Sequence, residues 1–288
     1  MTRILKTVLL LICLCSCRQH EQSPLQSLFN LPKKLKEVSG ITYISKKNAF
    51  YTIEDSGNEN VVYELDSNGK ITAEIPIEGV DNTDWEDITT DADGNVYLGD
   101  FGNNDNKRTD LAIYKIQADA MTDKKGITTE KISFYYPEQT EFPPKKSELF
   151  YDAEGFIYYK NYFYVFTKNR SKHFDGTTLL YRIPATAGHH KAELMDSFKT
   201  GENYNNGAIT SAAISPDETK IALLSHSKIW LFEGFSGDSF FKGTVTKLDL
   251  QHYSQKEAVT FKSNTAVFIA DEKVKKSGGN VYEYAIPE

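Results

Sequence analysis

One unit recurs along this chain five times, and recurring units too small to bury a core alone are stable only when stacked against copies of themselves. In four copies a strand start carrying an acid, or a residue in its place, is followed at a constant interval by a polar residue that closes a second strand. The pairs are Glu86 with Asp100, Glu154 with Lys168, Ala212 with His226, and Glu257 with Asp271. Each brackets a hairpin, clearest at Asp91-Ala92-Asp93-Gly94-Asn95, where Asp-Gly joins two apolar runs. A further copy comes first, Glu37-Val38-Ser39-Gly40-Ile41 leading to Glu54-Asp55 through a longer hairpin. There Ser39 takes the aligned position, and Glu37 is expected earlier on the same strand face.

After the hairpin each copy has a third strand with an aromatic pattern, such as Val61-Val62-Tyr63-Glu64-Leu65 and Lys228-Ile229-Trp230-Leu231-Phe232. Fourth strands are expected near residues 71–77, 132–136, 192–198 and 244–250; the last copy lacks one, which residues 24–35 can supply. Four-stranded repeats of this kind predict an all-β fold, a β-propeller of five blades closed by the N-terminal strand. A sixth blade between Ile116 and Tyr151 is the alternative, although that stretch contains a single convincing strand. Residues 118–125 read as one helical turn in a connection, and His189-His190 as part of a turn. With 17 Tyr and 17 Phe against 2 Trp and 3 Met, the aromatic usage suits a core supplied by strands.

The N-terminus has a different character. A basic start, Thr2-Arg3-Ile4-Leu5-Lys6, precedes a short apolar run ending Leu14-Cys15-Ser16-Cys17. This predicts a signal peptide over residues 1–16, with Cys17 as the lipidated N-terminus, a tether over 17–27 and one propeller domain over 28–288. The pattern resembles the bacterial lipobox, with small Ser16 before the cysteine. The expected location is therefore the bacterial cell envelope, lipid-anchored and extracytoplasmic, with the outer membrane favoured. All three cysteines, Cys13, Cys15 and Cys17, lie in this leader, which excludes disulfides and thiolate chemistry from the domain. A net charge of -7 argues against a nucleic-acid surface.

Asp84-Trp85-Glu86-Asp87-Ile88, Gly99-Asp100-Phe101-Gly102-Asn103-Asn104 with Arg108, Asp152-Ala153-Glu154-Gly155, Ile214-Ser215-Pro216-Asp217 and Glu257-Ala258-Val259 together resemble a family of secreted bacterial β-propellers. More distantly, the Glu-x-Ser-Gly-Ile opening and the Glu-Gly or Glu-Ala strand starts are similar to SdiA-regulated and phytase-like esterase propellers. The resemblance implies the fold; a propeller carries many unrelated functions.

Innermost strands line a propeller's channel, so Glu37, Glu86, Glu154 and Glu257 are expected at one mouth, with Asp84, Asp87 and Asp152 close by. Converging carboxylates repel, and need a hard cation, backbone donors or raised pKa values to coexist. Two readings stay open: a calcium site, calcium being the cation that takes many oxygens in flexible geometry, or a latch in which each Glu accepts backbone N–H groups from the next blade. The ends of the second strands, Asp55, Asp100, Lys168, His226 and Asp271, form a second ring of mixed charge. Asn103, Asn104, Arg108 and Arg170 follow in the same loops, with the arginines suited to gripping a carboxylate or phosphate. His226 is the one histidine at a motif position, and Asp271 is its expected partner if it acts as a base. The predicted function is a propeller that binds a polar small molecule or an envelope protein at this mouth. The alternative is a calcium-dependent phosphoesterase, esterase or lactonase using the same carboxylates.

Overall fold

The computed structural model describes residues 24–123 and 126–287. The expected signal peptide and the expected lipidation site, Cys17, lie outside the described residues. Five antiparallel sheets form the ring. From the axis outward, blade 1 consists of Val38–Ile44, Ala49–Glu54, Val61–Asp66 and Ile71–Pro76. Blade 2 has Trp85–Thr90, Val96–Asp100, Ala112–Ile116 and Thr128–Tyr135. Blade 3 has Asp152–Tyr159, Tyr162–Lys168, Thr177–Pro184 and Glu193–Lys199. Blade 4 has Ser211–Ile214, Lys220–Leu224, Lys228–Glu233 and Thr244–Asp249. In blade 5, Lys256–Ser263, Ala266–Asp271 and Asn280–Ala285 are completed by Leu25–Asn30, which pairs with Asn280–Ala285 and closes the ring as expected.

The ring is held by five apolar clusters, each shared by two neighbouring blades. Lys228–Glu233 shows how the sequence does this: Ile229 and Leu231 enter the cluster with blade 5, while Trp230 and Phe232 enter the one with blade 3. Alternate residues of one strand thus serve two interfaces, and the strand reads as a nearly continuous apolar run because both faces are buried. Trp85, fully buried, is part of the cluster between blades 1 and 2. On the axis the inner strands approach backbone to backbone. A Cβ on Gly155 would stand 2.5 Å from the Ala212 nitrogen, and one on Gly40 2.8 Å from that of Ile88, so both positions require glycine.

The stretch considered for a sixth blade contributes one strand to blade 2, and residues 137–151 are a loop connecting it to blade 3. Two features differ from expectation. Gly188–Lys191, read as part of a turn, is a strand pairing in parallel with Thr128–Tyr135 and extending blade 2 outward. Its Ser133 hydroxyl lies 3.0 Å from His189 Nδ1, a contact between residues distant in sequence. A short helix, Tyr204–Gly207, also forms where no helical period exists, capped by the Asn203 side chain.

Candidate functional site

The inner strands of four blades carry a β-bulge, and the extra residue is Ser39, Glu86, Glu154 or Glu257 in turn. The inner strand of blade 4, with Ala212 at this position, runs in unbroken register. A bulge re-aims a side chain out of the regular alternation, and here it does so wherever the aligned residue is polar. Glu86, Glu154 and Glu257 reach the mouth by this device. Glu37 precedes its strand and is exposed, where its carboxylate accepts a 2.8 Å bond from Asn58.

The four glutamates do not form one ring. Glu86 is shared by two groups of carboxylates, Asp55 with Asp84 and Asp152 with Glu154, whose oxygens in each group lie within 4.8 Å of one another. Only 6% of Glu86 is exposed, and among the described residues no hydrogen-bond donor reaches it. Asp84 Oδ1 beside it is buried without a partner. Burial, then repulsion from Glu154, Asp55, Asp152 and Asp84, pushes the Glu86 carboxyl well above its ordinary range. Burial and Asp55 raise Asp84 to about 7.

The other half of the mouth is neutralised by the chain itself. Arg170 donates to Asp152 Oδ2 at 2.6 Å and to Glu154 Oε1 at 2.7 Å, and Lys168 lies 3.0 Å from Glu154 Oε2. Glu257 lies 3.0 Å from His226 Nε2 and 4.0 Å from Lys168. Burial pushes Glu257 up, but Lys168 and the hydrogen-bonded His226 outweigh it and hold the carboxyl below its ordinary value. His226 is therefore partnered by Glu257 rather than by Asp271, which turns outward to Tyr282 at 3.0 Å and the Asn280 amide at 2.8 Å.

Arg108 and Asn103 serve the loops. Arg108 pairs with Asp100 at 2.9 Å and Asp110 at 3.0 Å, and donates to the Gly102 carbonyl at 2.9 Å. Buried Asn103 donates its backbone N–H to Asp152 and accepts that of Arg108, while Asn104 is exposed. Neither arginine is spare: each already grips carboxylates of this chain. Two acids at the mouth escaped sequence reasoning because they lie just outside the repeated positions. Glu54 is buried and accepts the Lys36 N–H at 2.8 Å. Glu272 is raised to about 8 by burial and by Glu257, Asp55 and Glu37.

The latch expected of the glutamates is made one residue further on. Asp87, buried on the axis, accepts the N–H groups of Ile88 at 2.9 Å and of Phe156 at 3.2 Å in blade 3, and is bonded by the Ala212 N–H of blade 4. The Ser211 hydroxyl reaches it at 3.5 Å and itself accepts the Val259 N–H of blade 5 at 3.1 Å. Ser39 adds blade 1 through a 2.7 Å bond to the Trp85 carbonyl.

Fold and mouth together define a five-bladed β-propeller with an acid-lined central mouth. Residues 28–140 match the sequence model of the family described as SdiA-regulated, in agreement with the resemblance of the strand-start motifs. Among solved structures, the PQQ-bound aldose sugar dehydrogenase of Streptomyces coelicolor is similar with a TM-score of 0.53 at 10% identity, over 90% of this chain and 97% of that one. A gluconolactonase of Xanthomonas campestris gives a TM-score of 0.48 at 10% identity, over 91% of this chain and 89% of that one. At such identity the likeness is one of fold. None of the curated proteins compared matches the sequence.

Proposed function

We propose that this is a lipid-anchored propeller of the bacterial cell envelope whose mouth binds a hard divalent cation, calcium, and through it a polar ligand or envelope partner. The observation that carries the reading is Glu86, a buried carboxylate without a donor, standing between two pairs of acids. Ionising Glu86 among these acids is costly, and a cation held by Glu86 with Asp55 and Asp84, the acids that pair with no cation among the described residues, would offset that cost. These are all oxygen donors, as calcium requires. The anchor agrees with this use of the mouth. Leu25–Asn30 starts at the face opposite the acids, since it runs antiparallel to Asn280–Ala285. The chain thus enters the propeller at the face opposite the mouth, which favours an anchor at Cys17 that leaves the mouth open.

The test is calcium titration by calorimetry and thermal unfolding of the purified protein and of Glu86→Gln. Binding with a dissociation constant on the order of micromolar, with a rise in Tm, is expected for the native protein and lost in the variant. In EDTA, Glu86→Gln should match or exceed native stability, because it removes a buried carboxyl that its acidic neighbours make costly to ionise. Absence of both heat and Tm shift in the native protein would overturn the reading. The hydrolase alternative rests on one contact, His226 Nε2 at 3.0 Å from Glu257, which suits a general base. Turnover of a lactone or phosphoester that disappears in His226→Gln would favour it.

A further inference from the structure

Beside the acidic mouth lies a shallow cleft, broadly open to solvent, of about 460 Å³, lined by Asn203, Tyr204, Asn205, Asn206 and Tyr253. None of these residues is charged. The cleft is joined to the carboxylates by one residue on each side. Arg170, which holds Asp152 and Glu154, donates to the Tyr204 hydroxyl at 2.9 Å. His226, which holds Glu257, lies edge-on to the Tyr253 ring with centroids 5.7 Å apart.

Both rings are pre-positioned. Tyr204 is backed by Phe174 in an edge contact at 5.2 Å. Tyr253 is 55% exposed, yet its loop is pinned on both sides by the buried Lys256 amine. That amine donates to the His252 carbonyl at 3.0 Å, Ser254 Oγ at 2.9 Å and the His226 carbonyl at 3.1 Å. A large aromatic surface held in place in open solvent costs little further entropy when a ligand stacks on it.

The polar atoms also select. The Tyr204 oxygen accepts from Arg170, so its own proton remains to be donated outward. Asn203 and Asn206 are fixed by the cap and by the Ser227 hydroxyl, which donates to Asn206 Oδ1 at 2.7 Å. Among the described residues, no acceptor meets the Asn203 amide nitrogen, and Asn205 is exposed. An anion would find no free cation here, since Arg170, Lys168 and Arg108 are engaged by acids. A cationic ligand would find no carboxylate on the cleft wall.

We propose that this cleft is a subsite for a neutral polyhydroxylated ligand, a saccharide, stacked on Tyr253 and hydrogen-bonded by Tyr204 and the asparagines. The proposal builds on the mouth as the ligand-facing side but does not require the cation. Its test is calorimetric titration of the purified protein with cellobiose and N,N′-diacetylchitobiose, with inorganic phosphate as control, each in calcium and in EDTA. Saturable binding of a disaccharide, not of phosphate, is expected, weakened at least roughly tenfold in Tyr253→Ala, the loss of about one stacking contact. Tyr253 is exposed, so an unchanged Tm will show that this variant folds. Binding that persists in EDTA supports the subsite whatever becomes of the cation. Binding in calcium that Glu86→Gln and Tyr253→Ala each abolish supports subsite and cation together. No disaccharide binding in either medium, or binding indifferent to Tyr253→Ala, overturns the subsite, and an intact calcium shift would leave the cation reading standing.

Discussion

Replacing Asp87 with alanine is expected to lower stability by about 3–5 kcal/mol, because it orphans several buried donors at once, each costing about 1–3 kcal/mol before relaxation. The donors belong to different blades: Ile88 in blade 2, Phe156 in blade 3, and Ala212 and Ser211 in blade 4. In a domain of this size the loss corresponds to a fall in Tm of roughly 10 °C or more. Asp87→Asn keeps one acceptor oxygen and should lose less. Thermal unfolding of native protein and both variants decides the matter. A Tm for Asp87→Ala near the native value would mean that the axis is held by the inter-blade apolar clusters alone. The same measurement separates the roles of adjacent acids, since Glu86→Gln, one residue away, should not destabilise the cation-free protein.

Between pH 5 and pH 8 the cation-free protein should lose stability as pH rises. Asp84 at about 7 and Glu272 at about 8 stand above their ordinary values of 3.8 and 4.5, so the folded state holds protons that the unfolded state has released. Their destabilising effect is absent below the ordinary carboxylate range and complete only above the raised values. Glu86, pushed up in the same direction, adds to it. His252 opposes the trend, because burial and Lys256 lower its pKa and folding then favours the neutral ring. It is one group against at least three. Lys256, lowered to about 8 by burial, reverses the trend above that pH, which sets the upper end of the window. The net fall should be on the order of 3 kcal/mol after allowance for solvent screening of the partly exposed groups. Calcium requires ionised carboxylates, so a saturating concentration should flatten or invert the profile. Thermal midpoints at pH 5.5, 6.5 and 7.5, in EDTA and in calcium, give both curves. A profile in EDTA that is flat or rises across the window would overturn the electrostatic account of the mouth.

The fold was legible because it depends on short-range patterns repeated many times. Alternation within a strand, Asp-Gly at a turn and an aromatic third strand are local properties, and five copies average out the ambiguity of any one. The N-terminal closing strand was legible for the same reason, since the last copy was visibly one strand short. The short parallel strand at His189-His190 was not, because four mostly polar residues acquire strand character only from the edge they meet.

The mouth was legible as an address and not as a circuit. Sequence alone determined that Glu86, Glu154 and Glu257 stand at equivalent strand starts, and that Lys168 and His226 occupy the positions where other blades carry Asp. It could not show that a bulge re-aims each of those glutamates, because register is a property of two strands together. Nor could it assign partners. Arg170 is close in sequence to Asp152 and Glu154, but His226 meets Glu257 and Asp87 meets Phe156 and Ser211 only when the ring closes. Electrostatic and hydrogen-bond energies depend on distances of a few ångströms and on burial. Tertiary structure alone therefore decided which acids were neutralised by the chain and which, Glu86 above all, were left facing one another.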